Sequence, residues 1–127
     1  MKLPVLPVAL AGLWITASEF VRNELLFKSF WTGHYQGLGL TFETKPLNGV
    51  LWLVWSMIFA CIIQQLLSRF SFGRSVAMAW VAGFPMMWIT LFNLQVLPLG
   101  LLVFALPLSI VEVLVAALIL TRFRAAA

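Results

Sequence analysis

The sequence predicts an all-α integral membrane four-helix bundle, with an interfacial amphipathic helix between the first and second spans. Three observations predict it. Of 127 residues, 63% are hydrophobic and 9% charged, against about 45–50% and about 25% in soluble domains. Four apolar stretches, at about 4–27, 47–68, 75–94 and 99–121, each match the about 20 residues that cross about 30 Å of hydrocarbon. Strand-type alternation is missing, which argues against a membrane barrel. No composition shift divides the chain, so residues 1–127 are expected to form one transmembrane domain.

The same composition excludes several classes. So few charges cannot cover a water-facing surface, which removes the ordinary globular domain, the disordered tail and the secreted disulfide scaffold. A pI near 10.0 rests on eight Lys/Arg against four Asp/Glu scattered between apolar runs. They form no stripe that tracks a phosphate backbone, so no nucleic-acid partner is expected. Cys61 is the single cysteine and His34 the single histidine. A thiolate or multi-histidine centre within one chain is therefore not available, and neither a metal nor a cofactor is expected.

The first span follows Met1-Lys2 and resembles a signal peptide as far as Ile15-Thr16-Ala17. It is expected to remain as an uncleaved, anchor-like helix. Each span carries a small or polar stripe at steps of three and four. The stripes are Ala9, Gly12, Thr16, Glu19 and Asn23; then Gly49, Ser56, Ala60 and Gln64; then Ser75, Ala79, Ala82, Thr90 and Asn93; then Ala105, Ser109, Glu112 and Ala116. In lipid, such faces bring helices together by close packing. Pro85 and Pro107 lie within spans three and four and should release the carbonyls of Val81 and Val103.

The segment 27–46 carries Phe27, Phe30, Trp31, His34, Tyr35 and Leu38 on one helical face, and Lys28, Ser29, Thr32 and Gln36 on the other. It reads as an interfacial helix or an extension of span one, ended by Gly37 and Gly39. The aromatics suit an anchor at the headgroup belt. The alternative is a lid that presents His34 and Tyr35 over polar groups below. Lys45-Pro46, followed by Asn48, opens span two.

Positive charge sets the orientation. With both termini cytoplasmic in the cell (inner) membrane, the inner side holds Lys2, Arg69, Arg74, Arg122 and Arg124, and the outer side Arg22, Lys28 and Lys45. Depth then gathers polar groups. Glu19, Arg22, Asn23 and Glu24 fall in the outer third of span one, with Asn48, Thr90, Asn93 and Gln95 near the same level. Glu112 lies near the midplane, about ten residues or about 15 Å from Arg122. An acidic group at a helix centre costs about 2.5–3.5 kcal/mol on insertion scales. Glu112 must therefore either meet a cation from another helix or remain a neutral acid. Glu19 and Arg22, three apart, can pair on one face.

Small four-helix membrane families offer no match at the level of motifs. The stretch Thr16-Ala17-Ser18-Glu19-Phe20-Val21-Arg22-Asn23 differs from the first-helix glutamate motif of the small multidrug resistance transporters. The motifs of the fluoride channels and the eicosanoid enzymes are missing too.

The leading expectation is an oligomeric transporter or channel for a small solute or proton. Glu112 would be its protonatable centre, with Glu19, Arg22, Asn23, Asn48 and Asn93 lining an outer vestibule. A second reading is a membrane enzyme on a lipid-like substrate, with Glu19, His34 or Glu112 as acid or base. A third is an accessory subunit that binds partner helices. The expected partners are the bilayer, a second copy or partner membrane subunit, and a lipid or small-molecule ligand.

Overall fold

The computed structural model describes residues 3–124, so Lys2, one of the charges used for orientation, lies outside the described residues. Helix α1 (Val5–Phe20) continues into a π-helical segment, Val21–Leu26. Helix α2 (Lys28–Gly37) follows, and then α3 (Pro46–Leu67). The third apolar stretch is two helices, α4 (Phe72–Gly83) and α5 (Pro85–Asn93). A short 3-10 turn, Leu99–Leu101, leads into α6 (Leu102–Arg124). Four continuous or nearly continuous helical stretches are long and apolar enough to cross a membrane: Val5–Leu26, Pro46–Leu67, Phe72–Asn93 and Leu99–Phe123. Their bounds fall within about three residues of those expected from hydropathy. No strand occurs among the described residues.

Helix α1 packs on α3 and α6, and α4 packs on the same two from the other side, which closes a four-membered bundle. Small residues make this approach possible. Ala11, Ala60, Ala79, Ala116 and Ala117 are fully buried, beside Ile15, Ile63, Val113 and Leu120. A Cβ on Gly12 would fall on the Met57 thioether, so any larger residue there makes that side chain shift. The stripe hydroxyls are satisfied within their own helices: Thr16 donates to the Gly12 carbonyl at 2.8 Å and Ser56 to that of Trp52 at 2.8 Å. Outward faces are mostly apolar, with Val5, Leu13, Ile58, Ile89 and Val103 exposed.

The two internal prolines behave differently. Pro107 is carried inside α6 without interruption. Pro85 coincides with a break at Phe84, whose φ of −122° and ψ of −68° are not helical. From Ala82, just before that break, the expected stripe loses its phase. Ser75 and Ala79 are buried as expected, but Ala82, Thr90 and Asn93 are exposed, while Gly83 and Phe84 are buried in their place. The turn at Phe84 swings its ring into the core and points the polar edge of α5 outward.

Helix α2 starts one residue into the segment read as helical and stops at Gly37. Gly39 adopts φ +73°, the left-handed conformation that glycine tolerates at a helix end. Residues 40–45 then run without helix to Pro46. There Asn48 Oδ1 accepts from the Lys45 backbone N–H at 2.9 Å.

Candidate functional site

Glu19, Arg22 and Asn23 occupy one face where α1 passes into its π-helical segment. The segment closes with the Phe27 N–H donating to the Arg22 carbonyl, five residues back, at 2.9 Å. A π-segment widens the helix, and such segments recur at functional sites. Here it lies on the stretch that carries the charged side chains.

These side chains form a closed cluster. Arg22 Nη2 donates to Glu19 Oε1. Asn23 Nδ2 donates to Glu19 Oε2 at 2.9 Å and to the Glu19 backbone carbonyl at 3.1 Å. Trp31 Nε1, on α2, donates to Asn23 Oδ1 at 3.0 Å. On the other side, Arg22 Nη1 stands 3.6 Å from Glu112 Oε1. Exposure is 2% for Glu19, 5% for Arg22 and 0% for Glu112, so all three are removed from solvent. The guanidinium carbon sits 5.4 Å from the centre of the Phe84 ring, the residue that the break before Pro85 turns inward.

Glu112 thus meets a cation from another helix, one of the two outcomes its position allowed. The meeting is incomplete. Arg22 Nη1 and both Glu112 carboxyl oxygens have no hydrogen-bond partner among the described residues. Two carboxylates share one guanidinium, so the fully ionised set carries a net charge of −1. A proton or a cationic group brings it to zero. Uncompensated charge in an apolar interior is costly, which makes this cluster sensitive to whatever reaches it.

A cavity of about 700 Å³ opens above the cluster at one end of the bundle. Glu19, Arg22, Asn23 and Asn48 line it, as the sequence reading grouped them. Glu112 lies beyond Arg22 and does not form its wall, and Asn93 is exposed at the end of α5, away from it. Tyr35 and Trp31 of α2 line it too, Tyr35 as the lid reading had it, while sequence reasoning missed the other aromatic walls: Phe20 from α1, Phe42 from the loop, Trp52 from α3 and Trp88 from α5. Trp31 stacks on Phe42 with ring centres 5.7 Å apart, and Tyr35 meets Phe42 edge-on at 5.2 Å. Among these, only Trp31 and Tyr35 were in view as a helical face; the rest show no spacing signal.

Helix α2 and the loop after it therefore roof the cavity. Phe27 stacks on Phe104 at 4.8 Å, and Phe30 closes on Gly100, which seats the helix on the start of α6. His34 is turned aside. Its Nε2 donates to the Gln95 carbonyl at 2.8 Å, in the turn where Gln95 holds φ +64°. His34 thus fastens the roof, and it is not among the residues that line the cavity.

The opposite half of the bundle is closed. Below the cluster the alanine layer fills the space between α1, α3, α4 and α6. Two indoles reinforce it: Trp14 Nε1 donates to the Glu112 carbonyl at 2.9 Å, and Trp80 Nε1 to Ser109 Oγ at 2.9 Å.

Fold and site together define a helical bundle with four potential spans, enclosing a one-ended aromatic cavity over a buried ion cluster. Comparison of the chain with protein-family models, curated proteins and solved structures finds no match.

Proposed function

We propose that this chain is a multi-pass protein of the cell membrane that carries a small solute, taking it into the cavity above Glu19 and Arg22 and exchanging it against a proton at the Glu112 cluster. The observation that supports this most is the shared guanidinium: two buried carboxylates on one cation, with Glu19 and Arg22 lining a cavity large enough for a solute and Glu112 behind Arg22. Occupancy of the cavity and protonation of the cluster are then linked, because each changes the charge the other must face. The groups that bear on Glu112 are few. From α1 these are Glu19 and Arg22; α3 has no charged residue, and α4 has only Arg74, in its first turn.

Membrane insertion is supported by four helices of sufficient length with apolar outward faces. Both termini are read as cytoplasmic, so the cavity faces the opposite side. The alanine layer closes the route through one chain in this conformation, and we read the working unit as an oligomer whose copies complete the path.

The test uses proteoliposomes holding an entrapped pH dye and a proton gradient. A small-molecule extract of whole cells, which supplies many solutes at once, is expected to accelerate decay of the gradient. Glu112→Gln is expected to assemble normally and to return the rate to that of protein-free liposomes. Extract-stimulated proton movement that survives in the Gln variant would remove Glu112 as the proton carrier.

A further inference from the structure

We infer that the solute of this cavity is a small organic monocation with an apolar body, such as a protonated alkylamine, rather than an anion or a neutral molecule. The inference rests on the proposed function for the site and adds the chemical class that fills it.

Charge points there first. All four acidic residues of the chain, Glu19, Glu24, Glu43 and Glu112, belong to the cavity half, against Arg22, Lys28 and Lys45. Two of these bases are engaged at the rim: Lys28 lies 3.3 Å from Glu24 and Lys45 lies 3.5 Å from Glu43. Arg22 is shared by Glu19 and Glu112. With every carboxylate ionised, the charge left over is a single negative one, and it is buried.

Arg22 is also poorly placed to receive an anion. One nitrogen is bonded to Glu19, the other faces Glu112, and its central carbon lies over the Phe84 ring. An anionic ligand would place a third negative group around one guanidinium. A neutral ligand would leave that charge to be answered by a proton. A cation cancels it.

The walls favour the same class independently. Trp31, Tyr35, Phe42, Trp52 and Trp88 present aromatic rings around the space. The negative faces of such rings attract alkylammonium groups, most strongly where water is excluded, and their area takes up an apolar body. A volume of about 700 Å³ lies in the usual range for small-molecule sites.

Three probes share one body and differ only at the head: 4-phenylbutylamine, 4-phenylbutanol and 4-phenylbutyrate. Each is titrated against the purified chain in nanodiscs, reading tryptophan fluorescence after subtraction of protein-free discs. The amine is expected to bind about tenfold or more tightly than the alcohol, with the butyrate weakest. Glu112→Gln and Glu19→Gln are expected to bring the amine to the affinity of the alcohol while leaving the alcohol unchanged. Arg69→Gln, at the far end, is expected to change neither. Monodisperse elution and helical circular dichroism identify any variant that fails to fold, and the two Gln variants stand in for each other.

The inference is overturned if the alcohol or the butyrate binds as tightly as the amine. It is also overturned if the amine preference survives both Gln substitutions, or if the amine gives no saturable signal. A clear amine preference without extract-stimulated proton movement would defeat the exchange reading and leave the ligand class standing. Extract-stimulated movement without that preference would do the reverse.

Discussion

Removing Arg22 leaves Glu19 and Glu112 facing each other across α1 and α6 with their shared cation gone. Breaking a buried ion set by deleting one partner costs about 3–5 kcal/mol, because the remaining charges stay desolvated. Arg22→Met is therefore expected to lose stability on that scale, read by equilibrium unfolding in mixed micelles. Adding Glu112→Gln to the same chain should recover a large part of the loss, since one of the stranded carboxylates is then neutral. Strictly additive effects would mean that the two residues do not interact. The residues of this cluster were legible in the sequence as exceptions to an apolar background. The pairing of Glu19 with Arg22 followed from a spacing of three. That Arg22 also reaches Glu112 did not, because the two are 90 positions apart and only the packing of α1 on α6 brings them together.

At the scale of elements, the break at Gly83-Phe84-Pro85 does more than end a helix. It seats Phe84 under the guanidinium and against Phe59, whose ring centre is 5.9 Å away. A Cβ on Gly83 would collide with the Phe59 ring. Gly83→Ala is thus expected to cost about 1–3 kcal/mol by overpacking, and Gly83→Ala with Phe59→Leu less than the single change. A single variant of wild-type stability in the same micelle assay would contradict the close approach. Pro85 was visible in the sequence, as were the ends of all four apolar stretches. Its consequence was not visible, and the stripe extended through it therefore placed Thr90 and Asn93 on the wrong side of α5. Helical periodicity predicts a face only while the helix continues. The segment 27–46 shows the same limit: the amphipathic run marked α2, but Phe42 joins the aromatic cluster from irregular backbone, where no period exists to read.

Across the whole molecule, charge is divided between the two ends. The cavity half holds four acids and three bases, net −1, while Lys2, Arg69, Arg74, Arg122 and Arg124 sit by sequence order at the other end, net +5, together making the +4 of the chain. If that end is cytoplasmic, single cysteines placed on a Cys61→Ser background should label from opposite sides of the membrane. Gln36→Cys is expected to react with an impermeant maleimide in intact cells, and Gly73→Cys only after the cells are opened. Both positions are exposed, and a side chain at Gly73 meets nothing within 4 Å. Labelling of both from one side, or the reverse pattern, would refute the orientation.

Composition alone determined that these helices are long and apolar enough for lipid, how many there are, and which residues are too polar for such surroundings. Those properties are sums and periods along the chain, so they need no contacts. The tertiary structure decided the rest: that the exceptions share one cluster, that Arg22 serves two carboxylates, and that six aromatic side chains from five separate segments line a space above them. A cavity is a relation between distant segments, and its shape depends on a proline break and a loop whose outcomes are set by packing.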